Sequence, residues 1–116
     1  MQLFYDAIAC GLLTALTWMG LVWMSADRPI GSGKGWVQGV SLVAIANTLI
    51  WIVLATLSLR VLALWAVSFL IVNAAIAHLV FPLCEEIKIP SIWAVLIHPV
   101  AIATMSVLLG GAVGIL

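Results

Sequence analysis

Eight charged residues, Asp6, Asp27, Arg28, Lys34, Arg60, Glu85, Glu86 and Lys88, divide a chain of 116 residues into four long stretches with no charge at all. These stretches cover residues 7–26, 35–59, 61–84 and 89–116, which are 20, 25, 24 and 28 residues long. A helix rises about 1.5 Å per residue, so crossing about 30 Å of hydrocarbon takes roughly 20 apolar residues. Each stretch is long enough. A soluble domain carries about 25% charged residues; this chain has 7%, with 66% hydrophobic residues. The runs are continuous, whereas the strand of a membrane β-barrel alternates polar and apolar positions over about ten residues. The expected fold is therefore an all-α integral membrane protein. Its four transmembrane helices, near 4–25, 36–58, 61–84 and 91–115, form one up-down bundle with short loops over residues 1–116.

The loops follow from turn chemistry in two cases out of three. ADRPIGSGKG, residues 26–35, is rich in Gly, Pro and Ser and ends the first helix. CEEIKIPS, residues 84–91, ends the third, and Pro90 suits the start of a fourth near Ser91. Between the second and third helices, TLSLRVLAL holds no Gly, Pro or Asn. A single helix over residues 36–84 would be roughly 70 Å long, so a tight reversal near Ser58 to Arg60 is required by length. The start, MQLFYDAIAC, lacks Lys and Arg, and its apolar run exceeds the 7 to 15 residues of a secretory signal, so the first segment is expected to be retained.

Arg28, Lys34 and Lys88 fall on one side of this topology and Arg60 on the other. The positive-inside bias then places loops 1-2 and 3-4 in the cytoplasm, in a bacterial inner membrane or an organelle membrane of similar type. Trp23, Trp36 and Trp93 gather near that face, and Tyr5 and Trp65 near the other, as interfacial aromatic belts do. Trp18 and Trp51 lie deeper and are expected to pack. Cys10 and Cys84 sit near opposite faces, much further apart than a disulfide spans, so both are expected as free thiols. Asp6 is expected to serve the start of the first helix.

Polar residues inside the spans carry what functional signal there is. Asn47 and Asn73 each lie thirteen residues from Arg60. In a hairpin about Arg60 the two amides meet at one depth, as a structural polar clasp or as part of a polar path. His78 precedes Cys84 by six residues and His98 follows Ser91 by seven, which puts both about 10 Å inside the same face. Ala74 and Ala94 stand one turn before them, and Ala101 lies on the face of His98 one turn later. Small neighbours leave room for a flat macrocycle whose metal takes an imidazole nitrogen. His78 and His98 are therefore the candidate cofactor ligands, for haem b held between them or for a chlorophyll-type pigment or haem shared with a partner chain. The alternatives are packing with a backbone partner, or a protonatable pair with Glu85 and Glu86 at the entrance. Pro99 is expected to bend the fourth helix.

Small residues recur four apart at Ala7, Gly11 and Ala15, at Gly35 and Gly39, and at Gly110 and Gly114, which suits close helix contact within the chain or with a partner. No nucleophile triad, metal-protease helix, CxxC pair or phosphate-binding Gly loop is found, and no polybasic cluster for nucleic acid. Enzyme chemistry is not expected. The expected role is a small accessory subunit of a larger respiratory, photosynthetic or transport complex. Its partners would be the bilayer and other transmembrane subunits or copies of itself. A homo-oligomeric transporter or channel is the alternative, and a cytochrome b-like carrier follows only if the histidines are ligands.

Overall fold

A computed structural model of the chain describes residues 2–24, 33–80 and 96–114. Four α-helices follow in order: α1 (Gln2–Met24), α2 (Gly33–Thr56), α3 (Leu62–Ala75) and α4 (His98–Ala112). A π-helical turn, Ile76–Val80, prolongs α3. α1, α2 and α3 continued by its π-helical turn are long and apolar enough to cross a membrane. α4, at 15 residues, is shorter than these three spans. The fourth segment was expected from residue 91, and residues 91–95 lie outside the described ones. Pro99 is the second residue of α4, and residues 96 and 97 before it are π-helical; the bend expected at Pro99 depends on a segment that lies outside the described residues.

The helices stand in a ring. α1 packs against α2 and α4, and α3 against α4 and α2. Neighbours run antiparallel: Trp18 meets Trp36 between α1 and α2, and Trp51 meets Trp65 between α2 and α3. Two apolar clusters fill the inside. One joins Trp18, Val22, Val43, Ala77 and Ile102. The other joins Ala7, Cys10, Trp51, Leu54, Trp65, Phe69 and Ala103.

In α2 and α3 every fourth residue points inward. Gly39, Val43, Asn47 and Trp51 are buried along α2, and Trp65, Phe69 and Asn73 along α3, with Ala77 following in the π-helical turn. The faces between them carry exposed Ile45, Leu49, Val53, Val67 and Ile71. Both sides are hydrophobic. What marks the inside is therefore the presence of aromatic, small and polar side chains, and the aliphatic outside is compatible with a bilayer.

The α2–α3 reversal has a turn chemistry that the absence of Gly concealed. The Leu59 N–H donates to the Leu54 carbonyl and the Ser58 N–H to the Ala55 carbonyl, each at 3.0 Å. These are the two bonds of a Schellman ending, which needs a left-handed residue at its corner. Ser58 takes that conformation, with φ 56°. Leu59 then packs against the cluster that holds Leu54. The Trp65 indole N–H reaches back to the Leu59 carbonyl and ties the turn to α3. Trp65 is fully buried among Trp51, Leu54 and Phe69, while Tyr5 and Trp23 are exposed.

Candidate functional site

Between the two apolar clusters lies a layer of polar side chains with contributions from all four helices. α1 provides Cys10 and Thr14, α2 Asn47, α3 Asn73 and α4 Ser106, all buried. The steps of three and four residues that carry each helix's inner stripe bring them to one depth.

Asn47 Nδ2 donates to Asn73 Oδ1 at 2.9 Å, and Asn73 Nδ2 donates to Asn47 Oδ1 at 2.8 Å. Each amide gives its second proton to its own helix, Asn47 to the Val43 carbonyl and Asn73 to the Phe69 carbonyl, both at 2.7 Å. A primary amide has two N–H donors, so neither side chain has one to spare. The Cys10 thiol points at Ser106 Oγ across 3.8 Å, joining α1 to α4. Ser106 donates to the Ile102 carbonyl, and Thr14 to the carbonyls of Cys10 and Gly11. Every polar proton of the layer is thus used inside the layer or on its own backbone.

Such closure matters because hydrocarbon offers no water to an unused donor. A polar path needs the opposite arrangement, with donors and acceptors left facing a wet lumen. Two buried polar atoms, Trp51 Nε1 and Gln38 Oε1, find no hydrogen-bond partner among the described residues. Trp51 instead sets its ring perpendicular to that of Trp65, with centroids 4.8 Å apart, an arrangement aromatic rings favour.

The histidines differ. His98 is buried at the start of α4, while His78 is exposed on the π-helical turn. The structure brings Asn47 and Asn73 together; of the two imidazoles it buries one and exposes the other. Among the described residues no group of three or more His, Cys, Asp or Glu side chains is placed to hold a metal ion. Glu85 and Glu86, expected at the entrance of a relay, and Cys84 lie outside the described residues. Asp6 sits in the second turn of α1, nearly buried, and accepts from Gln2 Nε2 at 2.8 Å.

Two of the small-residue stripes serve contacts within the chain. Ala7, Gly11 and Ala15 of α1 are buried, as are Gly35 and Gly39 of α2. The Trp18 ring lies so close to the Gly39 Cα that a methyl there would overlap it. Gly110 is buried in α4 and Gly114 lies exposed beyond its end.

The sequence reading missed Thr14, Cys10 and Ser106 as members of the layer. A Thr or Ser that bonds the carbonyl four residues back looks the same in sequence whether it faces lipid or the core; exposed Thr104 does so with Val100 at 2.8 Å. Comparison with known proteins finds no matching family model, no matching curated protein and no matching solved structure.

Proposed function

We propose that this chain is a small multi-pass membrane protein that acts as an accessory subunit in a larger membrane assembly. The supporting observation is the saturated polar layer: Asn47 and Asn73 use all four of their N–H protons on each other and on their own helices. An amide pair closed in this way has no donor to offer a solute, which favours an activity directed outward, to lipid and to neighbouring helices. In this reading the fourth segment also crosses the bilayer, its described 15 residues being continued by the apolar run that begins at Ile89. The excess of Arg28, Lys34 and Lys88 puts loops 1-2 and 3-4 in the cytoplasm.

His78 belongs to the outward-facing part of this proposal. Exposed on a π-helical turn, a feature frequent at functional sites, it is free to meet a haem or chlorin carried by a partner, whereas a haem shared between His78 and His98 would need both to turn toward one space.

The test is purification in a mild detergent from the native membrane, followed by a native gel and a visible spectrum before and after reduction. A fixed set of partners at constant stoichiometry is expected. A monodisperse homo-oligomer that moves a solute across liposomes would replace the subunit reading by the transporter reading. Visible bands that vanish in His78→Ala assign the cofactor; bands indifferent to it remove His78 from that role.

A further inference from the structure

On the outside of the bundle, α3 and α4 part to leave a groove of about 370 Å³ between Leu62, Ala66 and Leu70 on one side and Val100, Thr104 and Val107 on the other. The Thr104 hydroxyl is turned onto the Val100 carbonyl of its own helix, so the groove presents hydrocarbon along its length. From Leu62 to Leu70 it runs about 12 Å, close to one leaflet's half of a hydrocarbon core about 30 Å thick.

Arg60 stands just beyond the Leu62 end. The extended residue Val61 (φ −91°, ψ 119°) joins the two, which keeps Arg60 within about 7 Å of the groove along the backbone. Its side chain is exposed and makes no hydrogen bond or ion pair with a described residue. The described acidic residue at this end, Asp6, is on α1, diagonal to α3 in the ring, and is engaged by Gln2. An exposed cation at the mouth of an apolar slot one leaflet deep is complementary to a molecule with a negative head and a hydrocarbon tail.

We propose that Arg60 and the α3–α4 groove form a binding site for an anionic phospholipid, with the phosphate at the guanidinium and one acyl chain lying between Leu70 and Thr104. The groove alone would accept the chain of any lipid; Arg60 supplies the choice of headgroup. This inference rests on the membrane-spanning reading and is independent of the accessory role.

The experiment uses the full chain in vesicles of equal phosphatidylglycerol and phosphatidylcholine with identical acyl chains. After gentle extraction, native mass spectrometry counts the lipids that stay bound. Phosphatidylglycerol should be retained about fivefold over phosphatidylcholine, the preference one arginine near a membrane surface confers. Arg60→Gln should abolish the preference while lipid still binds. Thr104→Phe should fill the groove and release the lipid of both kinds; Thr104 is exposed, so the bundle does not depend on it, and Ala66→Leu provides a second block. Equal retention of the two lipids by the unaltered chain overturns the proposal, as does a preference that survives Arg60→Gln. Retention unchanged in both groove variants overturns it too. Failure of the membrane reading itself would show earlier and separately, as release of the protein from membranes by alkaline carbonate.

Discussion

Gly11 and Thr48 hold α1 and α2 at the closest approach their backbones can make. A methyl group on Gly11 would overlap Thr48 Oγ1 and stand 2.7 Å from the Ala44 carbonyl oxygen. Rotation of the hydroxyl would break the bond it already donates to that same carbonyl at 2.7 Å, and the carbonyl belongs to the helix itself. Closeness of this kind gives two helices their dispersion contact in lipid, where no hydrophobic force drives them together.

Gly11→Ala should therefore force α1 and α2 apart and destabilise the protein by about 1–3 kcal/mol, the usual range for overpacking. Gly20→Ala, on the same helix with open space around it, should be neutral or stabilise by up to about 1 kcal/mol through helix propensity. Unfolding titrations with sodium dodecyl sulfate in mixed micelles compare the two; equal effects would contradict the close approach.

Replacing either amide of the Asn47–Asn73 pair with leucine leaves the other facing hydrocarbon. Each single change should cost about 0.6–2 kcal/mol. The double replacement should cost less than the sum of the singles, because no polar group is then stranded. Additive losses in the same titration would mean that the two amides do not act as a pair.

Ser58 pays for its φ of 56°, a conformation that costs an ordinary L-residue roughly 1–2 kcal/mol. Ser58→Gly should be neutral or gain up to about 1 kcal/mol, and Ser58→Val, branched at Cβ, should lose at least about 1 kcal/mol. A measurement in which valine is tolerated as well as glycine would show that the corner is not left-handed.

Trp65→Phe keeps the aromatic stack with Trp51 and deletes the indole bond to the Leu59 carbonyl. The expected loss is about 0.5–1.5 kcal/mol. It should be local: amide hydrogen exchange should quicken between Leu57 and Val61 and stay unchanged around Asn47. Uniform quickening over both helices would mean that Trp65 supports the core generally and not the turn.

Much of the fold can be read from charge spacing alone, because a bilayer sets a minimum length for any crossing. The pairing of Asn47 with Asn73 was visible too, since equal distances from a forced reversal define equal depth. The turn's own chemistry was not visible: a Schellman corner is normally announced by glycine, and here Ser58 fills it. Nor was the division between inner and outer faces, since Leu, Ile and Val suit lipid as well as they suit a core. Read with the structure, the rule is compositional: Trp51, Asn47 and Gly39 face in, and Leu49, Ile45 and Val53 face out. His78 and His98 lie at matched distances from one loop, and distance along a helix says nothing about which way around it a side chain points.

The two amides have a further consequence for how the chain finds its alignment. Sliding α3 along α2 by one helical turn moves it about 5.4 Å and could set Trp51 against Phe69 in place of Trp65, one aromatic neighbour for another. At Asn47 and Asn73 the slipped hairpin strands two amides, since both would lose their partner at once. The pair thus works as a key cut at one position, whose value lies less in the strength of its bonds than in making every other alignment of the hairpin unacceptable.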